Sequence, residues 1–107
     1  MAFTTDYMAQ EPSRSDIDAL PGDTLLEFGA SWCGYCMAAQ PLLANTMAGR
    51  TDLRHIKVED GKGQPLGRSF RIKLWPTLVV LRDGEELARV VRPSSAEEVE
   101  RVLGMLG

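Results

Sequence analysis

The sequence predicts an α/β fold in which a central mixed β-sheet carries helices on both faces. Three observations predict it. The apolar, β-inclined run Thr24-Leu25-Leu26-Glu27-Phe28-Gly29 hands over within a few residues to a helix-forming stretch from about Cys33 to Ala48. A second strand pattern, Leu53 to Glu59, follows that helix, which makes a strand–helix–strand unit. Further on, Thr77-Leu78-Val79-Val80-Leu81 is continuous and apolar, Asp83-Gly84 signals a tight turn, and Glu85 to Val91 answers as an antiparallel partner. A crossover unit closed by a hairpin requires a sheet of mixed direction.

The elements follow in order. Residues 1–20 are weakly patterned. Phe3 to Met8 is expected as an edge strand closed by Glu11-Pro12, and Ser13 caps a short helix, Arg14 to Leu20, with Asp16 as its shortened capping partner. Pro21-Gly22-Asp23 is a turn. Thr24 to Gly29 is apolar enough to lie inside the sheet. The helix from Cys33 is stopped by Gly49, and Pro41 within it removes the hydrogen bond to the Met37 carbonyl, so a kink is expected. Pro65 suits the start of a short helix through Phe70, with Leu66 and Phe70 one turn apart. Ser94-Ser95-Ala96-Glu97 carries a capping box for a last helix whose apolar Val99, Val102, Leu103 and Leu106 recur at helical spacing. The order is β-α-β-α-β-α-β-β-α.

At 107 residues the chain, 1–107, is expected to be one domain. A net charge of −3 argues against a polyanion-binding surface, so no nucleic-acid partner is expected. No apolar run reaches the length of a membrane span, and Met1 to Ser15 lacks the basic and apolar regions of a signal peptide. Two cysteines in a redox spacing fit a reducing compartment. The expected location is therefore cytoplasmic, with a periplasmic or exported location as the alternative if the chain is the mature form of an exported protein.

The chemistry resides in Trp32-Cys33-Gly34-Tyr35-Cys36, where the strand gives way to the helix. Residues three apart share a helix face, so both sulfurs point the same way, close enough to bond. The first helical turn offers unpaired N–H groups and the positive end of the dipole, which favour a thiolate, and the thiolate is the nucleophile. Such a dithiol is expected to attack disulfides and to cycle through a redox-active Cys33–Cys36 disulfide. Zinc is a weaker reading: a closed site wants four ligands, whereas the chain has no other Cys and one His, so no metal and no bound cofactor are expected. A purely structural disulfide is also weaker, because so short a loop removes little entropy from the unfolded chain.

Glu27 stands six residues before Cys33, on the strand that leads to the dithiol. On a half-exposed strand it would be the wet face; buried beneath the dithiol it could carry protons for the exchange. His55, the one imidazole, reads as a strand residue on a polar face rather than as a catalytic group.

These motifs together resemble the thioredoxin superfamily: the Cys-Gly-Tyr-Cys site after Trp32, the helix-kinking Pro41, Trp75-Pro76-Thr77, and the hairpin Asp83-Gly84-Glu85. The resemblance runs from about Thr24 to Leu106, over three quarters of the chain. It implies the thioredoxin fold and a cis peptide bond at Pro76 beside the dithiol. It also implies that Cys33 is the exposed nucleophile, Cys36 the buried resolving thiol, and Glu27 the occupant of a place usually held by Asp. Several positions depart from the family pattern. Tyr35 replaces a usual Pro and Met37 a usual Lys, Gly29 stands where a Trp is common, Trp75 precedes the cis proline, and Arg92 replaces a common Gly.

The reading is an enzyme, a protein disulfide oxidoreductase that reduces disulfides through a mixed-disulfide intermediate. Trp32, Gly34, Tyr35, Trp75 and Pro76 are its expected substrate-binding residues. Its expected partners are disulfide-containing proteins and an electron-donating reductase, with no membrane partner and a monomeric state. The alternatives are a binding or adaptor module of the same fold with incidental redox activity, or a disulfide isomerase or oxidant. Tyr35, unlike Pro, supplies an N–H in the first helical turn. That amide is expected to help solvate the Cys33 thiolate and to raise the potential above the roughly −270 mV of thioredoxin.

Overall fold

The computed structural model describes residues 3–107. Four strands form one sheet in the order β2-β1-β3-β4: β1 is Asp23–Gly29, β2 Arg54–Glu59, β3 Thr77–Arg82 and β4 Glu85–Val91. β1 pairs in parallel with β2 and antiparallel with β3, and β3 pairs antiparallel with β4. This is the mixed sheet that the order of elements requires, and its two inner strands are the two most apolar runs of the sequence.

Alternation along β1 divides the core into two layers. Leu25 faces α2 (Gly34–Met47) and α4 (Ala96–Leu103), packing with Leu43, Met47, Leu78, Val80, Val99 and Leu103. Leu26 and Phe28 face the opposite side, where Ile17 of α1 (Arg14–Asp18) and Leu66 of α3 (Pro65–Ser69) close over Val58, Val79 and Leu81. Each fully buried Leu, Ile or Phe side chain contributes about 1.5–3 kcal/mol by leaving water, so both faces have to be covered. A short 3-10 helix, Gly104–Leu106, ends the chain with Leu106 buried.

The helix ends follow local chemistry. Ser13 and Asp16 form the reciprocal box that starts α1. At α4 the box lies one residue later than the sequence pattern suggests: the Ser95 hydroxyl accepts from the Glu98 amide, and the Glu98 carboxylate accepts from the Ser94 amide. Val99, Val102 and Leu103 are the buried residues of α4. The hairpin turns through Asp83 and Gly84, both at positive φ (52° and 81°), the geometry of the tightest antiparallel connection. Gly84 also lies against the Asp18 backbone carbonyl, which leaves no room for a side chain.

The N-terminal segment differs from expectation. Phe3 to Met8 is not a strand. It lies beside β2 through separate bonds: Met8 N to the Lys57 carbonyl (2.8 Å), Thr4 Oγ1 to the His55 carbonyl (2.9 Å), and Thr4 N to the His55 ring (2.8 Å). The segment spends its polar groups on side chains of β2 as well as on its backbone, so no regular ladder forms. The described chain is therefore α-β-α-β-α-β-β-α.

Candidate active site

β1 ends at Gly29, and α2 begins four residues after Ala30. Cys33 is the N-cap of α2, with extended backbone (φ −85°, ψ 119°), and its Sγ accepts the Cys36 amide at 3.2 Å. A sulfur takes the place that a Ser or Asp oxygen usually fills at such a cap. The positive end of a 14-residue helix and a backbone donor are thus aimed at one sulfur atom. The amide that reaches Sγ is that of Cys36, a donor that is present whether residue 35 is Tyr or Pro. The expected contribution of the Tyr35 amide to the potential therefore loses its structural basis.

The two cysteines are unequal, though less so than the resemblance implies. Cys33 keeps 7% of its surface and Cys36 2%, so neither is openly exposed. Both are free thiols, packed with Ala30 and Trp75. Burial pushes the Cys36 thiol up to about 12, helped by its hydrogen bond with Cys33 and by the nearby Glu27 charge, and opposed by a backbone hydrogen bond at Ala30.

Trp32, 74% exposed, and Tyr35, 60% exposed, flank the sulfurs. The Trp32 and Trp75 rings meet edge to face with centroids 5.4 Å apart. The Trp75-Pro76 bond is cis, as the resemblance implies, and Pro76 is buried. Trp75 Nε1 donates to Asp60 Oδ2 at 2.8 Å, and Arg92 Nε donates to the Trp75 carbonyl at 2.8 Å while its guanidinium covers the Tyr35 ring at 4.0 Å. Gly67 lies so close to the Asp60 carboxylate that any Cβ would collide with it. Trp32, Cys33, Tyr35, Leu74, Trp75 and Arg92 enclose a cleft of about 390 Å³ open to solvent. Of the five expected substrate-binding residues, Trp32, Gly34, Tyr35 and Trp75 line this cleft with Cys33, and Pro76 follows Trp75 through the cis bond.

Beneath the dithiol lies a polar cluster. Glu27 is fully buried (0% exposed), on the α2 side of β1. Its Oε1 meets His55 Nε2 at 2.8 Å and its Oε2 accepts from Gln40 Nε2 at 2.9 Å. Since His55 Nδ1 accepts the Thr4 amide, the ring's proton sits on Nε2 and is donated to Glu27. His55 is thus not on a polar outer face: it is 3% exposed, stacked on Phe3 at 5.5 Å and turned inward. Lys57 Nζ reaches Gln40 Oε1 and the Thr5 carbonyl, both at 3.1 Å. Asp60, Gln40, Lys57 and Tyr7 escaped the sequence reading. Lys57 alone left a signal there, since it lies two residues from His55 on the same strand face; the fold then sets it opposite Glu27.

Among the described residues, no group of three or more His, Cys, Asp or Glu side chains is placed to hold a metal. A family model described as Thioredoxin matches residues 6–104. The chain belongs to the thioredoxin family. Among solved structures, it is similar to reduced thioredoxin 2 from Pseudomonas aeruginosa PAO1, with 55% identity, a TM-score of 0.86, and coverage of 97% of this chain and 96% of that one. It is 36% identical over 83 residues to thioredoxin H2-1 of Oryza sativa, a match covering 77% of this chain and 59% of that protein's length. Against a thioredoxin of Staphylococcus haemolyticus it is 31% identical over 94 residues, 85% of this chain and 88% of the relative. The thioredoxin fold expected from the motifs is the one observed.

The raised Cys36 thiol has a consequence for the stability of the chain. An acidic group whose pKa rises from an ordinary 9.0 to about 12 on folding binds its proton more tightly in the native state. Its stabilising contribution is complete below the unfolded value and is lost as pH rises toward the folded one. The reduced protein should therefore lose stability between about pH 9 and pH 12 more steeply than its Cys36→Ala variant. Urea unfolding at a series of pH values checks this, and parallel pH profiles would contradict it.

Proposed function

We infer that the chain is a thiol–disulfide oxidoreductase that reduces protein disulfides through Cys33 and Cys36. The observation that carries the reading is Cys33 Sγ as the cap of α2, holding the Cys36 amide. In the proposed cycle the Cys33 thiolate attacks one sulfur of a substrate disulfide. The substrate S–S bond breaks, and its electron pair leaves on the second substrate sulfur, which takes a proton from solvent. Cys36 then loses its proton and attacks Cys33, forming the Cys33–Cys36 disulfide and expelling the first substrate sulfur as a thiolate. A reductase returns two electrons.

Within this proposal Cys33 is the nucleophile and Cys36 the resolving thiol, supported by the difference in burial and by the high proton affinity of Cys36. Glu27 is the proposed proton carrier for the resolving step. Trp32, Tyr35 and Trp75 offer an apolar floor for the substrate, with Gly34 and Pro76 leaving the sulfur approachable. The chemistry needs no bound cofactor beyond the dithiol itself. A monomer in a reducing compartment, the cytoplasm, is proposed on the grounds that one chain supplies the whole site and that its only cysteines have redox spacing.

Catalysed reduction of a small disulfide-linked protein, followed with an excess of reductant, tests the reading. Multiple turnovers are expected, and an adaptor would bind without turning over. In the same assay Trp75→Ala should raise KM several-fold, on the order of 1–2 kcal/mol of binding, with a smaller effect on kcat. An unchanged KM would remove Trp75 from the docking surface.

A further inference from the structure

Tyr7 belongs to the N-terminal segment, outside the stretch that carries the family motifs, yet it reaches the resolving sulfur. Its hydroxyl and Cys36 Sγ converge on the α-carbon of Gly29: a Cβ built there would lie 2.9 Å from the hydroxyl and 2.7 Å from the sulfur. Gly29 stands where the family commonly has Trp, so the absence of a side chain leaves the space that the phenol enters. The hydroxyl and the Cys36 sulfur are thus neighbours across Gly29. The ring is fixed from its other face by Lys57, whose Nζ lies 4.6 Å from the ring centroid and whose own hydrogen bonds go to Thr5 and Gln40. Tyr7, Lys57, Gln40 and Cys36 line a cleft of about 250 Å³ on the side of the sulfur away from the Trp32–Trp75 pair.

We propose that Tyr7 is a catalytic residue of the resolving half-reaction, its hydroxyl donating a hydrogen bond to Cys36 Sγ as that sulfur becomes the attacking thiolate. The idea rests on the oxidoreductase reading above. The Cys36 thiol gives its proton to solvent or to the Glu27 cluster, and its electron pair forms the new bond to Cys33 Sγ. The Cys33–substrate bond breaks, and that pair leaves on the substrate sulfur. Tyr7 transfers no proton. Burial and the neighbouring Cys36 and Glu27 charges push its own ionisation well above the ordinary value, so it remains a neutral donor throughout the working range. A donor of this kind lowers the cost of a buried anion that has few other partners.

The test uses the full reduced chain and a symmetrical aromatic disulfide whose released thiolate absorbs visible light, mixed in a stopped-flow instrument. Attack by Cys33 releases one equivalent and attack by Cys36 the second, so the two steps are read separately. Tyr7→Phe should leave the first phase unchanged and slow the second about tenfold. As a second readout, thiolate absorbance of Cys36 in a Cys33→Ser background should titrate at higher pH in Tyr7→Phe than with Tyr7 present. Equal slowing of both phases, an unchanged second phase, or an unchanged thiolate titration would each overturn the proposal. Should the unmodified protein release neither equivalent, the oxidoreductase reading fails, whatever Tyr7 does.

Discussion

Cys33→Ser is expected to abolish disulfide reduction, with a loss on the order of a thousandfold or more. The reason is specific to the atom removed. A serine hydroxyl can still cap α2 and accept the Cys36 amide, so the fold is preserved, but it is a weak nucleophile with no adjacent base to activate it. Cys36 cannot substitute, because it is buried and its thiol is held up to about 12. Cys36→Ser should behave differently. The first attack proceeds, and the product stays bound as a mixed disulfide through Cys33, visible by intact mass as one substrate per chain. Rapid turnover by Cys33→Ser, or a stable adduct on Cys36 in place of Cys33, would reverse the assigned roles.

His55→Ala should be the most damaging single change to the polar cluster, costing about 3 kcal/mol of folding stability. For a domain of this size that corresponds to a fall in Tm on the order of 15 °C. The ring donates to Glu27, accepts the Thr4 amide and stacks on Phe3, so its removal strands a buried carboxyl and releases the N-terminal segment together. The joint change Glu27→Leu with His55→Leu should recover part of the loss, because two apolar groups leave nothing unpaired. Glu27→Gln separates stability from chemistry. It keeps the size of the side chain while removing proton uptake, so the second phase of disulfide exchange should slow and the first should not. A loss below about 1 kcal/mol in His55→Ala would show that solvent reaches the cluster and replaces the missing partners.

Much of this was legible in the sequence. β1, β3 and the hairpin announced themselves through unbroken apolar runs and Asp83-Gly84, and α2 through its strand-to-helix handover. The dithiol spacing and the motifs around it located the site. His55 was misread for a definable reason. Period-two alternation shows that Leu53, His55 and Lys57 share a face opposite Ile56 and Val58, but not what covers that face. Here α2 and residues 3–8 roof it, and the polar side chains point into one another instead of into water. Tyr7 was invisible for a related reason: a segment without periodicity carries no register from which its contacts could be inferred. Asp60 likewise acquires its place only when Gly67 and Trp75 are brought to it by the fold.

Because the proposed nucleophile Cys33 also caps α2, redox state is expected to couple to backbone order. Forming a bond to sulfur, whether to a substrate or to Cys36, weakens the acceptor that ties down the Cys36 amide. An oxygen cap is worth about 1 kcal/mol and sulfur is a weaker acceptor, so each turn of the cycle is expected to loosen and re-form the helix's leading turn by less than that. That turn contains Gly34 and Tyr35, the residues a docked protein would touch. The partner's grip and the enzyme's oxidation state are then two readings of one local equilibrium, and a substrate that has just been reduced meets a surface altered by the loss of the electrons it took.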